Sequence, residues 1–478
     1  MMPRIERDSL GEVEVPKDAY FGGFTARARE NFKISGSGTE KALVRAIARI
    51  KVAGAKVNRG LGLLDEARAE AIISAAREVV SGNFDDQFPL DMIQAGAGTP
   101  VHMNVNEVIA NRATELLGGQ KGEYLVHPND HVNMGQSSNN VVPTALKLAL
   151  LDLARGLIDE LDGLIDALED KSDEFKDIVK VGRTHYQDAV PITLGQEFGA
   201  YTHNVGRVRE LVEDSLSYFR EVGIGGNAVG TGINTPPEFR DHLVEELSRV
   251  TGEDLQPAED PIATTQSMLP FANYSGSLRG AAEELVKILD DLVFLSSGPK
   301  AGINEISLPE VEPGSSIMPG KVNPSIPEAV KMGLFQVLGY DHSVSLAAKE
   351  GHLELNVMTP LIATSLITGT RTFENSVKTL RKMCVEGIKA NRNEITRQFD
   401  ESTAAATALS PYLGYERVAE LVKLVLEEDR SLKRTILERG WLTEPELDRL
   451  LDPERLTSPG GVDEDLREEV RKRLDETS

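Results

Sequence analysis

The residues best equipped for chemistry stand in one short segment, residues 314–324, with the sequence GSSIMPGKVNP. It combines four glycine or proline residues with the hydroxyl of Ser315, the ammonium of Lys321 and the amide of Asn323. A turn of this composition can direct backbone N–H groups at an anion, and the lysine adds a full positive charge. The segment therefore fits a carboxylate-binding loop. It fits equally a tight surface turn in which Pro324 stands near the start of the next helix.

Hydroxyl, amide and imidazole groups also collect in three other polar segments: Thr99 after Gly98, the run Ser137, Ser138 and Asn139, and the pair Thr184 and His185. The serine run comes just before a helix expected near residue 142. Such groups can cap the helix, or they can bind a carboxylate at its positive end. The same alternatives hold for the threonine at 99, and a lone histidine is more often structural than catalytic.

Long helices are the elements that must hold these segments in place. Between residues 142 and 178, apolar residues recur at steps of three and four from Leu146 to Leu168 and form one helical stripe. Comparable long segments cover 191–221, 267–296, 324–349 and 357–389, and shorter patterns start at Thr39 and cover 65–81 and 104–117. Aromatic residues are only 5%, which favours aliphatic helix packing over sheets. The sequence predicts an all-α fold.

Three domains are expected: a mixed loop and helix domain at 1–140, a central long-helix bundle at 141–390, and a small helical domain at 391–478. Within them, residues 96–104, 127–140, 181–191 and 297–324 are expected to be polar loops, and the first forty residues an irregular arm with little helix. A helix of about 30 residues spans about 45 Å, more than a single bundle usually needs. Copies from other subunits would bury that length, so a homo-oligomer built on the bundle is expected.

Composition excludes several classes of partner and cofactor. The net charge is −24, from 76 acidic and 52 basic residues, so nucleic acid is not an expected partner. The single cysteine, Cys384, stands within an apparent helix and can form neither an intrachain disulfide nor a thiolate metal site. No cluster of histidine, cysteine and carboxylate residues has metal-ligand spacing, so no metal is expected. No signal segment or membrane span is expected, and the cytoplasm is the expected location.

Segment 314–324 resembles the signature of the aspartase/class II fumarase superfamily, and other segments are similar to that family's blocks in the same order. These segments are AGT (97–99), HPND (127–130), SSN (137–139), GRTH (182–185), GTGINT (230–235) and LELNV (353–357). The resemblance extends from SLGEVEVP at 9–16 to WLTEPELD at 441–448. It implies a cofactor-independent, all-α lyase that forms a homotetramer around a twenty-helix core, with each active site shared by three subunits.

The resemblance also implies roles for single residues. Ser315 matches the family's catalytic general base, and Lys321 and Asn323 match residues that hold a substrate carboxylate. His185 matches a residue beside the substrate, and Glu328 matches the carboxylate that partners this histidine. The remaining matches are the substrate-binding residues Thr99, Ser137, Ser138, Asn139 and Thr184, and a secondary anion site formed by His127, Asn129 and Asp130.

The implied reaction removes a proton beside a carboxylate of a four-carbon dicarboxylate and expels a group from the neighbouring carbon, which yields fumarate. Segment 86–91 and other flanking segments resemble the aspartase branch, which releases ammonia from L-aspartate. Ser138 and His127 resemble the fumarase branch, which interconverts L-malate and fumarate, and Asn140 and Asn227 resemble neither. Ammonia elimination from L-aspartate is the expected activity, with L-malate as the alternative substrate and a larger amine as a third leaving group. Some relatives in the wider superfamily are structural proteins without turnover, which would have no need of these site residues.

Overall fold

Helices make up most of residues 3–477, the part of the chain that the computed structural model describes, and strands occur there only as four two-stranded pairs. The all-α fold expected from the sequence is confirmed. None of the helices in this described part is both long and apolar enough to cross a lipid bilayer.

In chain order, the helices of the described residues are α1 (Gly23–Asn31), α2 (Lys41–Gly60), α3 (Glu66–Val80), α4 (Thr99–Leu116), α5 (Ser138–Glu174), α6 (Leu194–Leu216), α7 (Phe239–Thr251), α8 (Pro261–Gln266), α9 (Leu269–Leu295), α10 (Ser325–Ala348), α11 (Thr359–Met383), α12 (Arg392–Glu401), α13 (Ala406–Leu413), α14 (Tyr415–Glu428), α15 (Leu432–Glu438), α16 (Glu444–Leu450), α17 (Pro453–Thr457) and α18 (Glu464–Thr477). The long helices α5, α6, α9, α10 and α11 coincide with the five long segments expected from hydrophobic periodicity. Shorter helices follow residue 390, as expected.

The strands pair as small ribbons and build no extended sheet in the described chain. They are β1 (Arg4–Asp8), β2 (Gly11–Val15), β3 (Val179–Thr184), β4 (Gln187–Thr193), β5 (Glu221–Val222), β6 (Gln256–Pro257), β7 (Ile306–Ser307) and β8 (Lys389–Ala390). Pairs β1–β2, β3–β4 and β7–β8 are antiparallel, whereas β5–β6 is parallel. These ribbons lie before or between helices in the chain and contribute few side chains to the core.

The chain divides into two compact units. The first unit comprises the chain up to Glu160, Val208–Glu283 and Met332–Ser376. The second comprises Leu161–Arg207, Glu284–Lys331 and the chain from Val377 onward. The three domains expected from the sequence, with boundaries at residues 140 and 390, stay a prediction.

Two helices begin earlier along the chain than their hydrophobic patterns predicted. Helix α4 begins at Thr99 instead of near residue 104, and α5 begins at Ser138, inside the segment expected to be a loop. Gly98 has a φ of 69° and turns the chain into α4, and Pro100 lies in the first turn, where its missing N–H costs nothing. The polar residues that suggested loops therefore form first helical turns.

The N-terminal arm is more ordered than its turn-rich composition predicted. It contains the β1–β2 ribbon and α1, and the start of α1 binds the buried carboxylate of Glu107 on α4. The backbone N–H groups of Gly22, Phe24 and Thr25 donate to this carboxylate at 2.9, 2.9 and 3.1 Å. A partner more than eighty residues away supplies these bonds, so no local pattern could reveal them.

Residues 181–191, expected to be a polar loop, instead form most of the β3–β4 hairpin. Cys384 also departs from expectation, because α11 ends at Met383 and the thiol lies just beyond the helix. Burial raises the pKa of that thiol to about 12, which keeps it protonated and unreactive near neutrality.

The C-terminal segment of the second unit has a continuous apolar core. Its helices α13, α14, α15, α16 and α18 bury one cluster of side chains, with Leu409, Leu421, Ile436, Leu447 and Val470 completely enclosed. Helical spacing of these residues places them on the inner faces of short helices, which explains how a segment without a long helix still folds.

Candidate active site

The segment at 314–324 closes on itself through three hydrogen bonds in the second unit. The Gly314 N–H donates to the Lys321 carbonyl at 3.0 Å, and the Asn323 amide donates to the Gly314 carbonyl at 2.6 Å. The Lys321 ammonium donates to Asn323 Oδ1 at 2.7 Å. A Cβ on Gly314 would lie 2.3 Å from the Lys321 carbonyl oxygen, so only glycine permits this closure. The loop thus holds the predicted lysine and asparagine side by side.

Ser315 lies inside this closed loop with its hydroxyl oxygen facing backbone donors. Its Oγ accepts hydrogen bonds from the N–H groups of Ile317 at 3.2 Å and Met318 at 3.1 Å. Two N–H dipoles directed at one oxygen stabilise negative charge on that oxygen. The arrangement therefore favours loss of the Ser315 proton more than a solvated serine would allow.

Glu328 lies in the first turn of α10, directly after this loop, and its side chain is exposed. Its N–H donates to the Pro324 carbonyl at 3.1 Å and so belongs to the start of the helix. Among the described residues, no hydrogen bond or ion pair joins Glu328 to His185. The partnership that the family resemblance implies for these two residues stays a prediction.

Thr184 and His185 stand at the tip of the β3–β4 hairpin, in the second unit. His185 and Tyr186 have φ values of 56° and 59°, as a two-residue type I′ connection requires. The Tyr186 ring packs edge-on against Phe294 with centroids 5.0 Å apart. The histidine side chain is exposed, so the hairpin presents its imidazole to solvent.

A buried ion cluster anchors the base of this hairpin. The carboxylate of Glu305 binds Lys180 of β3 at 2.7 Å and Arg183 of β3 at 2.7 Å. Lys180 also binds Glu197 of α6 at 2.7 Å. Because two cations share the buried Glu305 carboxylate, the strand that leads to His185 has a fixed position within its unit. Sequence analysis did not identify this anchor, because Glu305 is separated from Arg183 by 122 residues along the chain.

In the first unit, the other substrate-binding candidates lie at two neighbouring helix starts. Ser137 caps α5, and its Oγ accepts the Asn139 N–H at 3.3 Å. The Asn139 amide donates to the Ala228 carbonyl at 2.8 Å. Thr99 begins α4, and a Cβ on Gly98 would lie 2.9 Å from Val142 of α5. The structure thus brings Thr99 and the serine run to adjacent helix N-termini, where partial positive charge favours an anion.

Ser138 connects these two helices. Its Oγ lies 2.8 Å from Nδ1 of His102 on α4, and Nε2 of that ring lies 2.6 Å from Nζ of Lys51 on α2. Sequence analysis missed both Lys51 and His102. The available signal was the spacing of three residues between Thr99 and His102, which places both on one face of a helix.

The secondary anion site expected at His127, Asn129 and Asp130 forms one turn of π-helix at Pro128–Val132. The His127 Nδ1 accepts the N–H groups of Asn129 at 3.3 Å and Asp130 at 3.2 Å. The same nitrogen lies 3.3 Å from the Asp130 carboxylate. The three residues are together, with the histidine acting as a cap. Their role in binding an anion stays a prediction.

Comparison with known proteins shows which family shares this fold and these segments. A family model described as "Lyase" matches residues 11–339, and a second, "Fumarase C C-terminus", matches residues 406–458. The class II fumarate hydratase of Thermosynechococcus vestitus is 44% identical over 461 residues, 96% of this chain and 99% of that protein. The aspartate ammonia-lyase of Helicobacter pylori is 45% identical over 459 residues, 95% of this chain and 98% of that protein.

A solved structure gives the same result. The crystal structure of a fumarate lyase:delta crystallin from Brucella melitensis bound to cobalt has a TM-score of 0.94 and 44% sequence identity, and the match covers 96% of this chain and all of that one. The fold and the matched segments together define a lyase built on long helices. The chain belongs to the aspartase/fumarase superfamily.

Proposed function

We propose that this lyase eliminates ammonia from L-aspartate to give fumarate. The observation that carries the proposal is the Ser315 oxygen, which accepts two backbone N–H groups inside a loop that also holds Lys321 and Asn323. Such an oxygen can lose its proton and act as a base. Flanking segments such as 86–91, which resemble the aspartase branch, support ammonia as the leaving group.

The chemistry needs two kinds of assistance. Ser315 removes the proton from the carbon next to one carboxylate, and the electron pair moves into that carboxylate to form a doubly charged aci-carboxylate. Lys321 and Asn323 stabilise this dianion more strongly than the substrate, which lowers the barrier. The pair then forms the double bond as ammonia leaves the neighbouring carbon. His185 holds substrate at the reacting end, oriented by Glu328.

The remaining candidates bind the other carboxylate. Thr99, Ser137, Ser138 and Asn139 supply hydroxyl, amide and helix N-terminal groups, and Thr184 completes the set. We propose that different subunits of a homotetramer supply these residues and Ser315 to one active site. The segment 127–130 holds a second anion outside the active site.

L-Malate is the second candidate substrate, because Ser138 and His127 resemble the fumarase branch. Relatives named for the two activities are almost equally similar to this chain, at 44% and 45% identity. The experiment is to follow fumarate by ultraviolet absorbance with L-aspartate and, separately, with L-malate. We expect fumarate from L-aspartate. Fumarate from L-malate alone would replace this proposal with a hydratase, and fumarate from neither would point to larger N-substituted aspartates.

The role of Ser315 is tested by replacing its hydroxyl. Ser315→Ala should lower kcat by about a hundred- to ten-thousandfold with little change in substrate binding, because it removes the base and no contact to the carboxylates. The neighbouring Ser316→Ala is a matched control, since that side chain is exposed and belongs to the same loop. Near-normal kcat in Ser315→Ala would refute the assignment.

A further inference from the structure

A lysine without a counter-ion lies in the core of the first unit. Lys51 on α2 is completely buried, and among the described residues no carboxylate pairs with its ammonium group. Its Nζ instead lies 2.9 Å from Asn133 Oδ1, 2.9 Å from Gln136 Oε1 and 2.6 Å from His102 Nε2. A lysine enclosed only by neutral groups is costly to keep charged, so a structural role alone gives little reason for a lysine at this position.

The two amides can only accept hydrogen bonds from this lysine. The Asn133 Nδ2 donates to the Gln136 carbonyl at 3.1 Å, and the Gln136 Nε2 faces the carbonyls of Val132 and Met134 at 3.4 Å each. Their carbonyl oxygens must therefore point at Nζ. A Cβ on Gly54 would lie 2.7 Å from the Gln136 Nε2, so this glycine leaves room for the amide.

Two N–H groups of the lysine donate to the amides. Whether Nζ directs a third hydrogen or a lone pair at His102 decides which ring nitrogen of His102 holds the proton. If the lysine is an ammonium, it donates to Nε2, which leaves the proton of the ring on Nδ1. That Nδ1–H then donates to Ser138 Oγ, and the Ser138 hydroxyl must turn its own hydrogen outward. If the lysine is neutral, it accepts from Nε2–H, Nδ1 accepts from Ser138, and the serine offers only lone pairs.

We propose that Lys51 and His102 are positioning residues that force the Ser138 hydroxyl to donate its hydrogen to the carboxylate of a bound dicarboxylate. The proposal rests on the proposed function, since it takes Ser138 as part of the substrate site. It adds a relay in which the buried Lys51 and His102 fix the direction in which the Ser138 hydroxyl points its hydrogen. The substrate provides the negative charge that the buried ammonium lacks.

The directions of the pKa shifts of Lys51 and His102 support a relay that is charged only when substrate is bound. Burial lowers the pKa of Lys51 well below its ordinary value. Burial, and then the nearby Lys51, also lower the pKa of His102. Both shifts oppose a charge on the empty relay. A carboxylate at Ser138 counteracts this effect of burial, and it favours the ammonium form in which Ser138 donates.

The test uses succinate, a four-carbon dicarboxylate with no leaving group, and measures its dissociation constant by calorimetry on the whole protein. We expect Lys51→Met, Ser138→Ala and His102→Leu each to weaken succinate binding about tenfold, the factor that corresponds to about 1.4 kcal/mol. Because Lys51 acts through Ser138, the double variant with Lys51→Met and Ser138→Ala should bind only slightly more weakly than either single variant. Additive losses would overturn the relay.

A conservative replacement of His102 distinguishes the effect of its directed hydrogen bonds from the effect of its packing. His102→Gln can accept from the lysine through its carbonyl and donate to Ser138 through its amide, so it should restore succinate binding to within about threefold of the unchanged protein. His102→Leu has a similar size but neither group. Equal binding by these two variants would overturn the proposal, and this comparison stands even if Lys51→Met fails to fold.

A second buried lysine provides a matched control. Lys147 on α5 is buried and donates to the Glu221 backbone carbonyl, outside the relay. Lys147→Met should lose stability like Lys51→Met and leave succinate affinity unchanged. If the unchanged protein neither binds succinate nor forms fumarate, the proposed function fails. If it binds succinate and Lys51→Met binds as tightly, only the relay fails.

Discussion

At the scale of single residues, Asp91 shows how one carboxylate can hold a turn-rich segment. Its two oxygens accept hydrogen bonds from the backbone N–H groups of Ile34, Ser35, Gly36 and Ile93 at 2.8 to 2.9 Å, and from the Ser35 hydroxyl at 2.6 Å. Burial opposes its charge, but these bonds outweigh burial and hold the pKa of Asp91 at about 2, below the ordinary 3.8. The charged form is the one that the fold stabilises.

Stability should therefore depend on pH through Asp91. The depressed pKa contributes stability that is fully present above about pH 4 and is lost as pH falls through about 2, in total about 2 kcal/mol. Asp91→Asn should lower the urea midpoint at pH 7 and lower it by roughly half as much at pH 3, measured at one protein concentration. Asp86→Asn, at an exposed carboxylate, is the control. An equal loss for Asp91→Asn at both pH values would contradict this account.

At the scale of elements, the β3–β4 hairpin requires a particular backbone conformation at position 185, and this requirement is independent of the imidazole that His185 supplies. Both tip residues, His185 and Tyr186, adopt positive φ, a conformation that asparagine tolerates better than most residues. A ribbon with this connection can keep its register whether or not an imidazole stands at the tip. Turn formation and substrate binding therefore make different demands on position 185.

His185→Asn should preserve the melting temperature or raise it slightly, and should reduce fumarate formation by about a hundredfold if the imidazole binds substrate. His185→Val should lower the melting temperature, because a β-branched residue resists positive φ. Both quantities are measured on the same purified variants. Full activity in His185→Asn would remove the histidine from the proposed site.

At the scale of the whole molecule, the long helices α5, α6, α9, α10 and α11 are the elements that we propose pack against copies of themselves. Exposed apolar residues occur on them, among them Leu211, Met332 and Phe335. Burial of apolar surface between subunits would remove such side chains from water. A homotetramer in solution is the expected outcome, and light scattering measures it directly.

A shared active site predicts complementation between inactive variants. If Ser138 and Ser315 of one site come from different subunits, mixed tetramers of Ser138→Ala and Ser315→Ala contain some sites with both serines. Random mixing at equal amounts should make roughly a quarter of the sites complete. Activity of the co-refolded mixture then exceeds that of either variant alone. Mixed tetramers with no gain in activity would show that one subunit supplies both residues.

Features that depend on local spacing could be predicted from the amino-acid sequence. Leucines at steps of three and four predicted α5, and comparable apolar patterns predicted four other long helices, because a helical stripe needs no distant partner to be recognised. The closed loop around Ser315 was also predictable in outline, since Gly314, Lys321 and Asn323 stand within ten residues of one another.

The distant partners of the polar groups could be identified only in the folded chain. The hairpin that carries His185 depends on Glu305, and the N-terminal arm depends on Glu107. The relay joins Lys51, His102 and Ser138 from three helices. Each of these groups is polar, and in the sequence alone a polar residue suggests a loop or an exposed position. Burial makes an unpaired polar group costly, and the partner that removes this cost is set by the packing of helices far apart in the chain.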